Sequence, residues 1–290
     1  MIVTALIGCP TDHSISPYLF NYFASKHNLE YSHVKLNVCP DSANLNLKKA
    51  VEGIRVLNIK GANVTLPYKK DIMKYLDKID NDAEKIGAVN TIVNKNGFLE
   101  GYNTDWYGAI KSIEIGLKRK INKNDQIVIF GTGGAARAII HGALKNTNKV
   151  TVVYRLPISK RTKSLFKDYK KRVCFLSHND DIRTPICQAL VICNATSIGM
   201  TPNKHNSVIK AGIIKECSKK SDFSNKLFFD VVFNPYKTAF LKNAEMYGAK
   251  IQPGITMMIY QGIIAFKLWT GKNVTQKSVK EVEPKLIKIL

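Results

Sequence analysis

The hexapeptide Gly131-Thr132-Gly133-Gly134-Ala135-Ala136 constrains the fold most, because of what flanks it. Residues 126–130 before it form an apolar run of strand length, and residues 135–145 after it carry helical spacing. A strand, a tight glycine turn and a helix in that order open a βαβ unit. The pattern is G-x-G-x-x-A. Gly131 permits the turn, Gly133 lets a pyrophosphate approach the backbone, and a small third position keeps helix and strand close. The N-terminus of the following helix presents unpaired N–H groups to the phosphates. A tight turn that holds no ligand is the competing reading.

The next strand-like run, 150–154, indicates which dinucleotide. An Asp or Glu near its end would bind a ribose 2′-hydroxyl, as NAD requires. Here Arg155 follows, then Lys160 and Arg161, with no acid before Asp168. A guanidinium is a planar donor fork suited to a 2′-phosphate, so NADP is expected.

Strand and helix patterns alternate along the rest of the chain. Residues 1–8 read as a buried first strand, 17–27 as a helix, 31–38 as a strand, 45–57 as a helix and 61–66 as a strand running into Pro67. Pro suits a first helical turn, so 68–76 is expected to be helical. Residues 88–93 and 98–102 form two strands around Asn94-Lys95-Asn96-Gly97, and Asp105 opens a helix. The polar stretch 118–125 resembles a linker. Strands follow at 189–193 and 227–232, and an apolar helix at 256–269 after Pro253-Gly254. Two such alternating units imply two α/β domains with mostly parallel sheets.

Composition excludes several function classes. No apolar run reaches the roughly 18 residues of a membrane span. Leu6-Ile7-Gly8-Cys9 superficially resembles a lipoprotein cleavage site, but residues 1–5 contain no Lys or Arg and the apolar stretch is short. A cytoplasmic location is expected. The six cysteines form no Cys-x-x-Cys pair and no zinc spacing, so they read as reduced and structural, and no metal is expected. The net charge of +22 is spread along the chain without interleaved stacking aromatics. It fits attraction of small anions better than a nucleic-acid surface.

Three polar corners carry candidate chemistry. Asn63-Val64-Thr65-Leu66-Pro67-Tyr68-Lys69 presents an amide, a hydroxyl and an ammonium at a strand end, where open α/β sheets bind ligands. Gly87-Ala88-Val89-Asn90-Thr91 places Asn90 in an apolar strand, where an unpaired amide is costly. Gly101-Tyr102-Asn103-Thr104-Asp105 sets Asp105 at a helix start. On the residues alone, Asp105 is either a helix cap or a catalytic acid, and Lys69 either a solvated lysine or a catalytic one.

In order and spacing, these segments resemble the shikimate dehydrogenase family almost end to end. The series comprises His13-Ser14-Ile15-Ser16-Pro17 with Asn21, the three corners, the glycine turn, and Asn194-Ala195-Thr196-Ser197-Ile198-Gly199-Met200. Asp230 with Asn234-Pro235 and Thr238, then Gly254 and Gln261, complete it. The resemblance implies an NADP-dependent oxidoreductase interconverting 3-dehydroshikimate and shikimate in aromatic amino acid biosynthesis. It implies a substrate-binding α/β domain (1–105 plus 254–290) and a Rossmann-like NADP-binding domain (106–253), with the active site in a cleft between them. Lys69 and Asp105 would be the catalytic pair. Ser14 and Ser16 would hold the substrate carboxylate, and Asn63, Thr65, Asn90, Asp105 and Gln261 its hydroxyls. Gly131, Gly133, Gly134, Ala135, Arg155 and Thr196 would bind the cofactor, with Met200 and Gly254 near the nicotinamide. The chain departs from the family at Phe20, where His is frequent, at Phe233, where Tyr is frequent, and at Leu156-Pro157, which replace a usual Thr.

A quinate/shikimate dehydrogenase of broader substrate or cofactor range is the nearest rival. A silent ligand-binding regulator is a rival of another class, which retention of both Lys69 and Asp105 disfavours. A nucleic-acid binder is a third. A small-molecule substrate is the expected partner, in a monomer or homodimer without nucleic acid or membrane.

Overall fold

The computed structural model describes residues 1–147, 149–155 and 172–290. Lys160, Arg161, Asp168 and Leu156-Pro157 lie outside the described residues. The chain divides into two compact units, residues 1–104 with 261–289 and residues 105–260 with Leu290.

The first unit is built on a six-stranded sheet of order β2-β1-β3-β5-β6-β4. Its strands are β1 (Ile2–Gly8), β2 (Tyr31–Asn37), β3 (Gly61–Val64), β4 (Lys78–Ile79), β5 (Thr91–Lys95) and β6 (Phe98–Tyr102). Helices α1 (Ser16–Ser25), α2 (Leu45–Val56) and α3 (Asn81–Ile86) connect them. β1 pairs in parallel with β2 and β3, whereas β5 runs antiparallel to both β3 and β6. Three of the five strand pairings are parallel and two antiparallel; the short 94–97 turn permits only an antiparallel return between β5 and β6. Ala5, Ile7, Val51, Ile54, Val64 and Ile92 belong to one buried cluster.

Several expected elements differ. Residues 68–76 form turns and a single 3-10 helix, Asp71–Tyr75, instead of an α-helix. The Lys69 carbonyl is occupied by the Val89 N–H at 2.7 Å, a long-range bond that replaces helical pairing. Asn90 lies just before β5, not inside a strand. β1 begins at Ile2, and Met1 is exposed. The expected linker 118–125 is a loop inside the second unit, where both guanidinium Nη atoms of Arg119 donate to Asp125 at 2.8 Å.

In the second unit, the sheet is wholly parallel, in the order β12-β11-β10-β7-β8-β9. Its strands are β7 (Gln126–Phe130), β8 (Lys149–Tyr154), β9 (Val173–Ser177), β10 (Val191–Asn194), β11 (Leu227–Asp230) and β12 (Lys250–Gln252). Alternate residues of β7 serve opposite faces. Ile127 and Ile129 pack with Ile113, Ile139 and Ile140, whereas Val128 and Phe130 pack with Ile186, Ile214 and Phe240. Burial on both faces explains the continuous apolar run. The helices of this unit are α4 (Asp105–Leu117), α5 (Gly134–Leu144), α6 (Arg183–Gln188), α7 (Ala211–Ser218) and α8 (Ala239–Met246); residues 254–260 of α9 (Gly254–Thr270) also fall in it, whereas 261–270 and α10 (Gln276–Ile287) belong to the first unit. α9 begins at Gly254, two residues before the expected 256. Strand order reverses between β7 and β10, the switch point at which open α/β sheets bind nucleotides.

Candidate active site

Strand register gathers the polar corners of the first unit on one edge of its sheet. Asn63 near the end of β3 pairs with Thr91 at the start of β5, and Thr91 pairs with Tyr102 at the end of β6. Asn90, Thr91, Asn63, Thr104 and Gln261 form a hydrogen-bonded network there. The Asn90 Oδ1 accepts from the Thr104 N–H at 2.7 Å and from the Thr91 hydroxyl at 3.1 Å. Its Nδ2 donates to Thr104 Oγ1 at 3.0 Å and to Gln261 Oε1 at 3.3 Å. The Asn63 amide donates to the Asn90 carbonyl and to Thr91 Oγ1, each at 3.3 Å. Asn90 thus fixes the backbone immediately before Asp105, which is buried and opens α4. Among these groups Asn63, Asn90, Thr91 and Thr104 are buried, and the Asn63 Oδ1 has no hydrogen-bond partner among the described residues.

Thr65 and Lys69 stand on the turn after β3, both half-buried. The Thr65 methyl lies against the backbone of Gly8, and a Cβ on Gly8 would come within 2.2 Å of it. Ser14 and Ser16 lie beyond the end of β1 and are joined by a 3.0 Å hydroxyl contact. Sequence reasoning missed what stands behind them. His33 of β2 is buried, with Nε2 3.3 Å from Ser16 Oγ and Nδ1 2.8 Å from Thr4 Oγ1. The only signal was polar residues, Thr4 and His33, inside two strand-like runs. Asn21, part of the quoted motif, accepts the His33 N–H at 3.0 Å through Oδ1.

In the second unit, Gly131 follows β7 with φ +117, and a Cβ there would meet the Ala195 carbonyl at 3.1 Å. Only glycine suits both demands. A Cβ on Gly133 would meet no atom within 4 Å. Gly133 N-caps α5 without a side-chain hydrogen bond, Gly134 and Ala135 open the helix, and Ala136 is buried. Open approach and an uncapped helix start fit a dinucleotide pyrophosphate. Arg155, exposed, directly follows β8, the strand beside β7.

Thr196 follows β10, and the methyl of its side chain lies 3.0 Å from where a Gly131 Cβ would be. Asn194 shapes this loop. Its Oδ1 accepts from the Thr196 hydroxyl at 2.7 Å, and its Nδ2 donates to the Ile198 carbonyl and to Asp230, each at 3.0 Å. Asp230 also accepts from the Thr238 hydroxyl at 2.6 Å, and burial pushes its carboxyl up to about 6. Met200 is exposed beyond this loop. At Gly254 a Cβ would lie 2.4 Å from the Val231 carbonyl, so close backbone approach requires glycine.

Residues 6–92 match the shikimate dehydrogenase substrate binding domain, and residues 254–282 match the shikimate 5'-dehydrogenase C-terminal domain. The chain is 40% identical over 275 residues to a shikimate dehydrogenase (NADP(+)) from Methanocaldococcus jannaschii, covering 93% of this chain and 91% of that protein. It is 37% identical over 288 residues to one from Methanococcus vannielii, covering 96% of each. A shikimate dehydrogenase solved in complex with NADP+ superposes with TM-score 0.85 at 36% identity, over 99% of this chain and 96% of that one. A quinate dehydrogenase from Corynebacterium glutamicum in complex with NAD gives TM-score 0.84 at 25% identity, over 99% of both chains. With that identity sustained over nine-tenths of its length, the chain belongs to the shikimate dehydrogenase family.

Proposed function

We propose that this protein is an NADP-dependent shikimate dehydrogenase, interconverting 3-dehydroshikimate and shikimate with Lys69 and Asp105 as its catalytic pair. The observation that carries this reading is the single polar edge of the first sheet, on which Asn63 and Asn90 hold the backbone that delivers Asp105. Residues 1–105 with 254–290 are assigned to substrate and 106–253 to cofactor. This division differs from the compact units at Asp105, over 254–260 and at Leu290.

Ser14 and Ser16 bind the substrate carboxylate through their hydroxyls. Asn63, Thr65, Asn90, Asp105 and Gln261 serve the ring hydroxyls. When bound, NADP+ supplies the hydride acceptor. Gly131, Gly133, Gly134, Ala135 and Thr196 receive its pyrophosphate side, Arg155 its 2′-phosphate, and Met200 and Gly254 its nicotinamide side. Oxidising the alcohol also requires that the proton of the reacting hydroxyl leave. Lys69, on the turn after β3, and Asp105 bind that oxygen as a pair; the pair takes the proton as the alcohol is oxidised and returns it when the ketone is reduced. Asp105 accepts from the same substrate and holds the pair in register. Monomeric or homodimeric assembly in the cytoplasm accompanies this reading; among the described residues no helix is long and apolar enough to cross a membrane.

The test is NADPH formation from shikimate by the purified chain, its Lys69→Ala variant and its Asp105→Asn variant. The unmutated protein should turn over. Lys69→Ala should lose roughly two to four orders of magnitude in kcat with KM nearly kept, the span of one acid–base group. Asp105→Asn should lose activity with a larger share in KM. A folded Lys69→Ala with near-unmutated kcat would remove Lys69 from the mechanism.

A further inference from the structure

Behind the serine pair runs a buried line of hydrogen-bonding side chains that the reaction does not itself require. Tyr31 Oη lies 2.5 Å from Thr4 Oγ1, which lies 2.8 Å from His33 Nδ1. His33 Nε2 lies 3.3 Å from Ser16 Oγ. Thr4 and His33 are register partners on β1 and β2, so pairing of the two strands fixes the line in place. The imidazole is packed by Phe20, at 4.6 Å between ring centroids, and by Trp269 at 5.8 Å. With 3% of its surface exposed, its pKa is pushed down by burial to about 3, so it is neutral and carries one ring proton.

A neutral imidazole donates at one nitrogen and accepts at the other, and its neighbours decide which. Burial raises the Tyr31 phenol, which therefore keeps its proton, and a phenol is a stronger donor than an aliphatic hydroxyl. Directing that O–H to Thr4 Oγ1 leaves the Thr4 proton for His33 Nδ1. The ring proton then sits on Nε2 and is given to Ser16 Oγ. Without substrate, Ser14 also donates to Ser16 Oγ at 3.0 Å. When a carboxylate arrives, the Ser14 hydroxyl turns to it, while the bond from His33 still occupies Ser16 Oγ as an acceptor and leaves the Ser16 O–H for the same carboxylate.

We propose that His33 is a positioning residue. As the Nε2–H tautomer at the end of the Tyr31–Thr4–His33 line, it fixes Ser16 as a hydroxyl donor and so selects an acceptor-only group, a carboxylate, at that corner of the substrate. This rests on the reading that Ser14 and Ser16 hold the substrate carboxylate. The opposite tautomer would take the Ser16 proton and leave its lone pairs facing an anion, which repels it.

Two measurements on the full chain test this. In the first, 15N-labelled histidine is observed by NMR in the unmutated protein, with and without shikimate. His33 should show a protonated Nε2 and a bare Nδ1 in both states; a protonated Nδ1 would overturn the proposal, and no variant has to fold for this to be read. In the second, steady-state kinetics compare His33→Phe, His33→Gln and Ser16→Ala, with the double variant. His33→Phe should raise KM for shikimate about tenfold with kcat and the KM for NADP+ within twofold. His33→Gln, which keeps an N–H toward Ser16, should recover most of the loss. On Ser16→Ala, His33→Phe should add nothing, because contacting residues couple whereas a purely structural loss adds. An unchanged KM in folded His33→Phe, or additivity with Ser16→Ala, would overturn the proposal. If the unmutated chain does not oxidise shikimate, the functional reading itself has failed, a result distinct from either.

Discussion

At the scale of single residues, the expectation of NADP over NAD rests on one exposed cation. Arg155 follows β8 where an NAD-binding chain would place an acid. A guanidinium pairs with a phosphate dianion and gains nothing comparable from a bare hydroxyl. Arg155→Ala should therefore weaken NADP+ through KM, with kcat nearly unchanged and NAD+ hardly affected, read from steady-state kinetics with each cofactor. An unchanged ratio of the two kcat/KM values would leave Arg155 as a surface residue. The sequence singles out this candidate because it stands beside a motif with fixed offsets. His33 was not. Nothing adjacent in sequence marks it, and its meaning comes from Thr4, 29 positions away, and Ser16, 17 away.

Elements divide in the same manner. The glycine turn after β7 was readable because one short segment contains both its strand and its helix, and Gly131 with φ +117 answers to local geometry. The two glycines predict different failures. Gly131→Ala places a side chain in a disfavoured backbone region and against the Ala195 carbonyl, so it should lower the melting temperature. At Gly133 an added Cβ meets no protein atom. Gly133→Val should leave thermal stability close to unmutated while raising KM for NADP+ at least tenfold and sparing KM for shikimate. Equal effects on both KM values would mean that the turn does not face the cofactor. By contrast, residues 68–76 misled because the helical cue after Pro67 was local, whereas the bond from Val89 to the Lys69 carbonyl spans 20 positions. The antiparallel pairing of β3 with β5 was not legible for the same reason, since β4 and α3 separate the two strands in sequence. Both of those elements are short, at 2 and 6 residues, and leave little periodicity to read.

For the whole molecule, stability integrates the buried ionisable groups, and two of them act with opposite sign. The pKa of folded His33, about 3, lies below its unfolded value near 6.5, so the unfolded chain binds the proton more readily between them. Its contribution is complete above the unfolded pKa and is lost as pH falls from there toward the folded one, at up to about 1.4 kcal/mol per pH unit. Asp230, raised to about 6, contributes stability below its unfolded pKa that is lost as pH rises through the folded value. The two partly offset in the mildly acidic range, and a difference between proteins separates them. The stability gap between the unmutated chain and His33→Gln should widen as pH rises from about 4 to about 7, read from urea midpoints. A gap independent of pH would contradict a buried neutral imidazole. The net charge of +22 acts at this scale too, attracting carboxylate and phosphate ligands without naming them. The quinate dehydrogenase solved with NAD superposes nearly as well as the shikimate dehydrogenase solved with NADP+, so substrate and cofactor preference are what distinguish members of the family. The most direct measurement is therefore one crossed assay of the purified chain, shikimate and quinate each with NADP+ and NAD+. Shikimate with NADP+ should give the highest kcat/KM of the four combinations; quinate or NAD+ performing as well or better would contradict the assignment.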